Sequence, residues 1–95
     1  MARQIVWTEV AWNDLEAIAD HIAKDSEHYA ASVVLEAREA ARSLVTMAHR
    51  GRVVPEFKEP KIRELLLGNY RLIYSLTDTT VYILAFIHGA RLLRH

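Results

Sequence analysis

The residues best suited to chemistry in this sequence lie in its second half. Glu56 and His88 have the acid–base range that proton transfer requires, and Arg71 offers a guanidinium that could stabilise a phosphorane. Four further cations there could bind phosphates: Lys58, Lys61, Arg63 and Arg91. Together these residue types could cleave RNA, with one group accepting the 2′-hydroxyl proton and another protonating the leaving oxygen.

The same residues also fit a structural role. Arg71 could pair with Glu56 or Glu64, and both Arg63 and Glu64 could be ordinary exposed strand residues. His88 could end a strand through a backbone hydrogen bond. Because paired charges are common on sheet faces, residue chemistry alone leaves both interpretations open.

Charge is unevenly divided along the chain, although Lys+Arg 12 and Asp+Glu 12 balance over the 95 residues. Residues 1–49 carry four basic and eight acidic residues, whereas residues 50–95 carry eight basic and four acidic ones. The basic half indicates an anionic partner, or a sheet edge that faces acidic helices; the charge pattern does not choose between them.

Length and composition exclude several classes of protein. A chain of 95 residues, 52% of them apolar, is expected to form one folded domain over 1–95. It has no cysteine, which excludes disulfides, thiolate zinc sites and cysteine nucleophiles. No apolar run approaches the ~20 residues of a membrane span, and the N-terminus lacks the pattern of a signal peptide. We therefore expect a cytoplasmic protein that needs no membrane, metal or cofactor.

A short strand and an amphipathic helix are predicted at the start of the chain. Residues 3–7 form the strand, and Thr8 is a good N-cap for a helix over about 9–24. Trp7 and Trp12 stand at the positions of a hydrophobic staple around that cap. The sequence thus predicts both the helix and the direction from which the chain enters it.

A second helix follows after a short link. Asp25 or Ser26 is expected to cap it, and its apolar spacing continues as far as Met47. Gly51 is expected to end it. Two adjacent helices joined by a short link predict an antiparallel hairpin.

The rest of the chain has the alternation of strands. Residues 53–61 hold both prolines and are expected to be an extended loop, followed by strands over 62–67, 70–76 and 81–87. The last strand is apolar on both faces, which indicates an interior position. The order β-α-α-β-β-β predicts a single-domain α+β fold, with the helix hairpin packed on a mostly antiparallel sheet.

Several segments resemble one known family. They are "WTEVAWNDLEAIADHIA", "RGRVVPE", "IREL", "NYRLIY" and "FIHGARLL", in this order. Their order and spacing are similar to those of the RelE/ParE superfamily of type II toxin–antitoxin toxins, over nearly the whole chain. The resemblance implies the same β-α-α-β-β-β fold, a bacterial or plasmid origin with a role in plasmid stabilisation, and growth inhibition. It also implies neutralisation by a cognate antitoxin encoded beside the toxin.

The superfamily divides by mechanism, and the resemblance supports two hypotheses. The ending "IHGAR" is similar to ParE-type sequences, which poison DNA gyrase by protein contact, and zero net charge agrees with that reading. Glu56, Arg71 and His88 match positions where some ribosome-dependent mRNA endoribonucleases carry a Glu, an Arg and a His. In this RelE-like alternative they would serve as base, phosphate stabiliser and acid. A third hypothesis is a degenerate member that binds its antitoxin without being toxic.

The antitoxin is expected to lay an amphipathic segment on the helix hairpin or beside the sheet. The free chain should then expose a sizeable apolar patch. Tyr29, Val33 and Val34 are candidates for that patch, and core positions are the alternative for the same residues.

Overall fold

Two helices lie on one face of a five-stranded sheet in the computed structural model, which describes residues 2–93. The elements are β1 (Gln4–Trp7), α1 (Glu9–Ala23), α2 (Glu27–Ser43), β2 (Arg52–Val53), β3 (Ile62–Leu67), β4 (Tyr70–Leu76) and β5 (Thr80–His88). The strands are arranged β1-β5-β4-β3-β2, with β1 parallel to β5 and the other pairs antiparallel. The predicted fold class is confirmed, and β2 is an additional short strand that begins just before the expected loop and overlaps its first residue.

Both helices begin at the expected caps. The Thr8 hydroxyl accepts a hydrogen bond from the Ala11 amide at 3.2 Å and donates one to the Ile83 carbonyl at 2.7 Å. The rings of Trp7 and Trp12 meet edge to face with centroids 5.8 Å apart, as the staple predicts. Ser26 caps α2. Neither helix between residues 2 and 93 has the length and apolar character needed to cross a membrane.

The second helix ends earlier than its apolar spacing predicts. It stops at Ser43 instead of continuing toward Gly51. After Ser43 the amides of Leu44 and Val45 bond the carbonyls three residues back, at Ala41 and Arg42, so the regular helical pattern ends there. The segment that follows is held to distant residues, because Val45 accepts the Arg3 amide at 2.8 Å and Ala48 accepts the Tyr74 hydroxyl at 2.7 Å.

The main core lies between the helices and the sheet. Its largest fully buried side chains include Tyr74, Phe86, Leu15, Leu44, Leu72 and Ile83. A smaller apolar cluster of Val54, Ile73 and Ile87 lies on the other side of the sheet, where Phe57 and Leu93 pack against it. We call these two sides of the sheet the helix face and the loop face.

One extra residue in β5 changes which face the end of that strand presents. Ile73 of β4 is opposite Ala85, but the next residue, Tyr74, is opposite Ile83, which leaves Leu84 as a β-bulge. Side chains alternate between faces, so a single extra residue transfers all later side chains to the opposite face. His88 consequently lies on the helix face, opposite Tyr70.

Candidate functional site

Arg71 is the centre of a charged cluster on the loop face. Its side chain is 5% exposed. Its two terminal nitrogens donate to the two oxygens of Glu56 at 2.8 Å each, and Nε donates to Glu64 at 2.6 Å. Nη1 also donates to the Arg91 carbonyl at 2.9 Å. Two carboxylates and a backbone carbonyl therefore engage all three nitrogens of this guanidinium.

Glu64 is a member of this cluster that the candidate catalytic set leaves out. The sequence offered it either as a partner of Arg71 or as an exposed strand residue; the structure pairs it with Arg71, and its side chain is 0% exposed on β3. One carboxylate oxygen accepts from Arg71 and the other from Arg52. The hairpin register could have revealed it, since Glu64 is opposite Ile73 and Leu66 is opposite Arg71, which places Glu64 and Arg71 diagonally on one face.

Glu56 joins Arg71 to the C-terminal segment. Its carboxylate also accepts a hydrogen bond from the Leu93 amide at 3.1 Å. The hydrogen bonds from Arg71, and then that from Leu93, lower the pKa of Glu56 from 4.5 to about 2. The same pairing, chiefly with Glu56, raises the pKa of Arg71 above its usual value. Glu56 is thus a stable anion at neutral pH and a poor proton acceptor.

His88 lies in a different place, in a groove between α1 and the ends of β4 and β5. This groove, which we call the Tyr70 groove, has a volume of about 410 Å³ and is lined in part by Ile18, His21, Tyr70, Phe86, His88 and Arg91. The His88 ring meets Tyr70 with centroids 5.9 Å apart, and His88 Nδ1 accepts from the Ala90 amide. The histidine is therefore exposed at the rim of a largely apolar groove.

The structure brings together only part of the predicted catalytic set. Glu56 and Arg71 are in contact, whereas His88 lies on the other face of the sheet because of the bulge at Leu84. Pairing of the predicted strands 62–67 and 70–76 would bring Arg63 and Arg71 near each other, and that prediction is wrong. Arg63 is opposite Tyr74 on the helix face, where it donates to the Pro60 and Gly51 carbonyls.

The predicted phosphate-binding cations are also spread out. Lys61 and Arg63 line a groove with Arg3 near Leu76 at the end of β4. Arg91 lines the Tyr70 groove at the opposite end of that strand. Lys58 is exposed in the loop before β3, with a φ of 54°. These cations do not form one continuous surface with Arg71, and the catalytic and phosphate-binding roles stay predictions.

An apolar surface continues from the Tyr70 groove toward the start of α2. Tyr29 is 54% exposed there, beside Leu67, Tyr70 and the buried Val33. Val34 is half-buried and packs against the main core. Of the three candidates for an exposed patch, Tyr29 therefore contributes most of the accessible surface.

Two solved structures of toxin–antitoxin proteins have the same fold. A chain of the chromosomal ParDE TA system from P. aeruginosa matches with a TM-score of 0.75 and 24% identity, covering 92% of this chain and 96% of that one. A chain of the toxin–antitoxin complex RelBE2 from Mycobacterium tuberculosis matches with a TM-score of 0.62 and 28% identity, covering 93% of this chain and 99% of that one. These similarities place the molecule in the class of small α+β toxins.

Sequence comparison identifies the family within that class. Toxin RelE2 of Caulobacter vibrioides is 37% identical over 90 residues, which cover 94% of this chain and 98% of that protein. The family model described as the ParE toxin of type II toxin–antitoxin systems, parDE, matches residues 5–93. This chain belongs to the ParE toxin family, and the resemblance to the RelE/ParE superfamily is confirmed.

Proposed function

We propose that this toxin inhibits growth by binding DNA gyrase through protein–protein contact, without chemistry of its own, and that it acts in the cytoplasm. The observation that carries the proposal is the state of Arg71. A guanidinium that stabilises a phosphorane must present donors to the substrate. In Arg71 those donors are buried and engaged by Glu56, Glu64 and the Arg91 carbonyl.

The acid–base groups support the same conclusion. A general base works best when its pKa lies near the operating pH, and the pKa of Glu56 is far below it. His88 is separated from Glu56 by the sheet, so the two could not act on opposite sides of one scissile phosphate without rearrangement. The arrangement of Glu56 and Arg71 suits structural stability better than ribonuclease chemistry.

A cognate antitoxin is the second partner that we propose, and the Tyr70 groove is its docking site. The groove and the adjoining Tyr29 surface form an apolar strip between the helix hairpin and the sheet. An amphipathic helix fits such a strip by placing apolar side chains along it. Ile18→Asp should therefore weaken binding of the antitoxin, while Glu16→Gln, an exposed change on the same helix, should leave it unchanged.

The gyrase proposal is tested with purified components. The chain should inhibit supercoiling of relaxed plasmid by gyrase, and His88→Ala should inhibit equally well because His88 is not given a catalytic role. Ribosomes programmed with mRNA provide the matched assay. Cleavage of that mRNA by the wild-type chain, abolished by His88→Ala, together with unaffected gyrase, would establish the ribonuclease alternative instead.

A further inference from the structure

A groove at the end of the sheet where β3 begins and β4 ends carries an excess of positive charge. It has a volume of about 380 Å³. Three cations from distant parts of the chain line it, Arg3, Lys61 and Arg63, together with His49. Asp78 is the only acidic residue among the described residues of its lining. We call it the Arg63 groove, and the proposed action on gyrase makes no use of it.

The two arginines of this groove are held by backbone carbonyls. Arg63 donates from Nε to the Pro60 carbonyl at 3.0 Å and from Nη1 to the Gly51 carbonyl at 2.9 Å. Arg3 donates from Nε to the Thr77 carbonyl at 2.8 Å. A carbonyl oxygen fixes the position of a guanidinium but brings no negative charge to it. Both side chains are therefore positioned for an anion while they keep their full charge.

No carboxylate neutralises these cations within residues 2–93. The ion pairs formed by Arg and Lys there all belong to Arg52 and Arg71, so Asp78 is not paired with any cation of the groove. This is the opposite of the arrangement at Arg71, where two carboxylates engage the guanidinium. The Arg63 groove is thus complementary to a ligand that carries negative charge.

The walls of the groove do not suit an acidic peptide. Its one apolar strand residue, Leu76, is only 7% exposed and offers no anchoring pocket. The backbone there is already bonded, because the Leu76 amide donates to the Lys61 carbonyl at 3.0 Å and the Thr77 amide to the Thr80 carbonyl at 2.8 Å. A peptide would find charge at this place without the strand edge or apolar contacts by which peptides are recognised.

We propose that the Arg63 groove binds the phosphate backbone of duplex DNA, with Arg3, Lys61 and Arg63 each contacting a phosphate. Guanidinium and ammonium groups bind phosphate oxygens, and such contacts are independent of base sequence. No Phe, Tyr or Trp lines the groove in the described part of the chain. Single-stranded nucleic acids bind largely by stacking their bases on such rings, and a free nucleotide would also lack a surface for its base.

The test measures binding of a short labelled DNA duplex by fluorescence anisotropy, with no gyrase present, so its outcome is separate from that of the gyrase proposal. Three phosphate contacts predict a slope of about −2.7 for the logarithm of the binding constant against the logarithm of salt concentration. Arg3→Gln/Lys61→Gln should weaken binding about tenfold at low salt and make the slope shallower by about 2. Lys24→Gln/Lys58→Gln is the matched control, since it removes the same charge from exposed positions outside the groove and should change neither quantity.

A gain in affinity separates this site from a general effect on folding. Asp78→Asn removes the acidic residue of the lining and should tighten binding of the duplex about threefold, which a damaged fold would not do. Unchanged binding by Asp78→Asn, or an equal loss in the control variant, would overturn the proposal. So would tighter binding of a single-stranded RNA of the same length, or displacement of the duplex by inorganic tripolyphosphate at an equal concentration of phosphate.

Discussion

The Arg71 guanidinium and the Glu56 carboxylate lie side by side, joined by two hydrogen bonds of 2.8 Å, where three separate segments of the chain meet. Arg71 belongs to β4 and Glu56 to the loop before β3, and both also bond the backbone of residues 91–93. This ion pair fixes the loop and the C-terminal segment on the loop face.

The Glu56 carboxyl should make stability fall in acid. Its pKa is lowered from 4.5 to about 2 in the folded chain, so the unfolded chain takes up the proton first as the pH falls. The contribution of Glu56 to the free energy of unfolding is complete above its unfolded pKa of 4.5. It declines as the pH falls toward the folded pKa of about 2. Urea unfolding at a series of pH values should show a shallower decline for Glu56→Gln than for the wild-type chain. Parallel curves of unfolding free energy against pH for the two chains would contradict the pairing of Glu56 with Arg71.

Replacing Glu64 should lower the stability of the fold more than replacing any other carboxylate. Glu64→Leu leaves the buried Nε of Arg71 without an acceptor, with Glu56 as the remaining carboxylate of that guanidinium, and should cost about 1–3 kcal/mol of unfolding free energy. Glu39→Leu, on an exposed helix position, should change stability by less than about 0.5 kcal/mol. Denaturant unfolding measures both. The double variant Glu64→Leu/Arg71→Met should cost less than the sum of its single changes, because it removes both buried charges together.

Gly51 should tolerate no side chain. A Cβ there would lie 2.5 Å from the Tyr74 hydroxyl and 2.7 Å from the Glu64 carbonyl oxygen. Gly51→Ala should therefore cost about 3 kcal/mol through overpacking. At Gly68 a Cβ meets no atom within 4 Å, so Gly68→Ala should cost only about 1 kcal/mol, from its positive φ of 58°. Thermal unfolding of the two variants measures the difference, and equal effects would show that Gly51 is not closely packed.

His88 offers a cleaner test of mechanism than Arg71. Loss of toxicity in Arg71→Ala would have two explanations, because that change also removes the buried cation that Glu56 and Glu64 share. His88 is exposed, and His88→Ala should fold normally. We expect this variant to stop bacterial growth as effectively as the wild-type chain in an induction assay. Loss of toxicity in a variant with unchanged circular dichroism would argue for a catalytic His88.

The local features of the fold could be predicted from the sequence. The start of each helix is signalled by residues close to it in sequence: Thr8, Ser26 and the two tryptophans. The alternation in 70–76 correctly separates the core-facing side of β4 from the side that carries Arg71. Each of these signals acts over a few residues. They are independent of how distant segments pair.

The features that sequence reasoning missed depend on distant pairing. The segment after α2 is held by Arg3 and Tyr74, and the burial of Glu64 depends on the register of β3 and β4. The face on which His88 lies depends on the bulge at Leu84, since regular alternation would have placed it with Arg71. Residue types alone therefore suggested a catalytic trio that the fold separates.

Pulse labelling of new DNA and new protein, after this chain alone is induced in bacteria, tests the proposed mechanism most directly. We expect DNA synthesis to fall, with filamentation and an SOS response, while protein synthesis continues. An immediate halt in protein synthesis with continued DNA synthesis would contradict the gyrase mechanism and favour mRNA cleavage. Unchanged growth would also contradict it and would leave only the role of an antitoxin-binding protein.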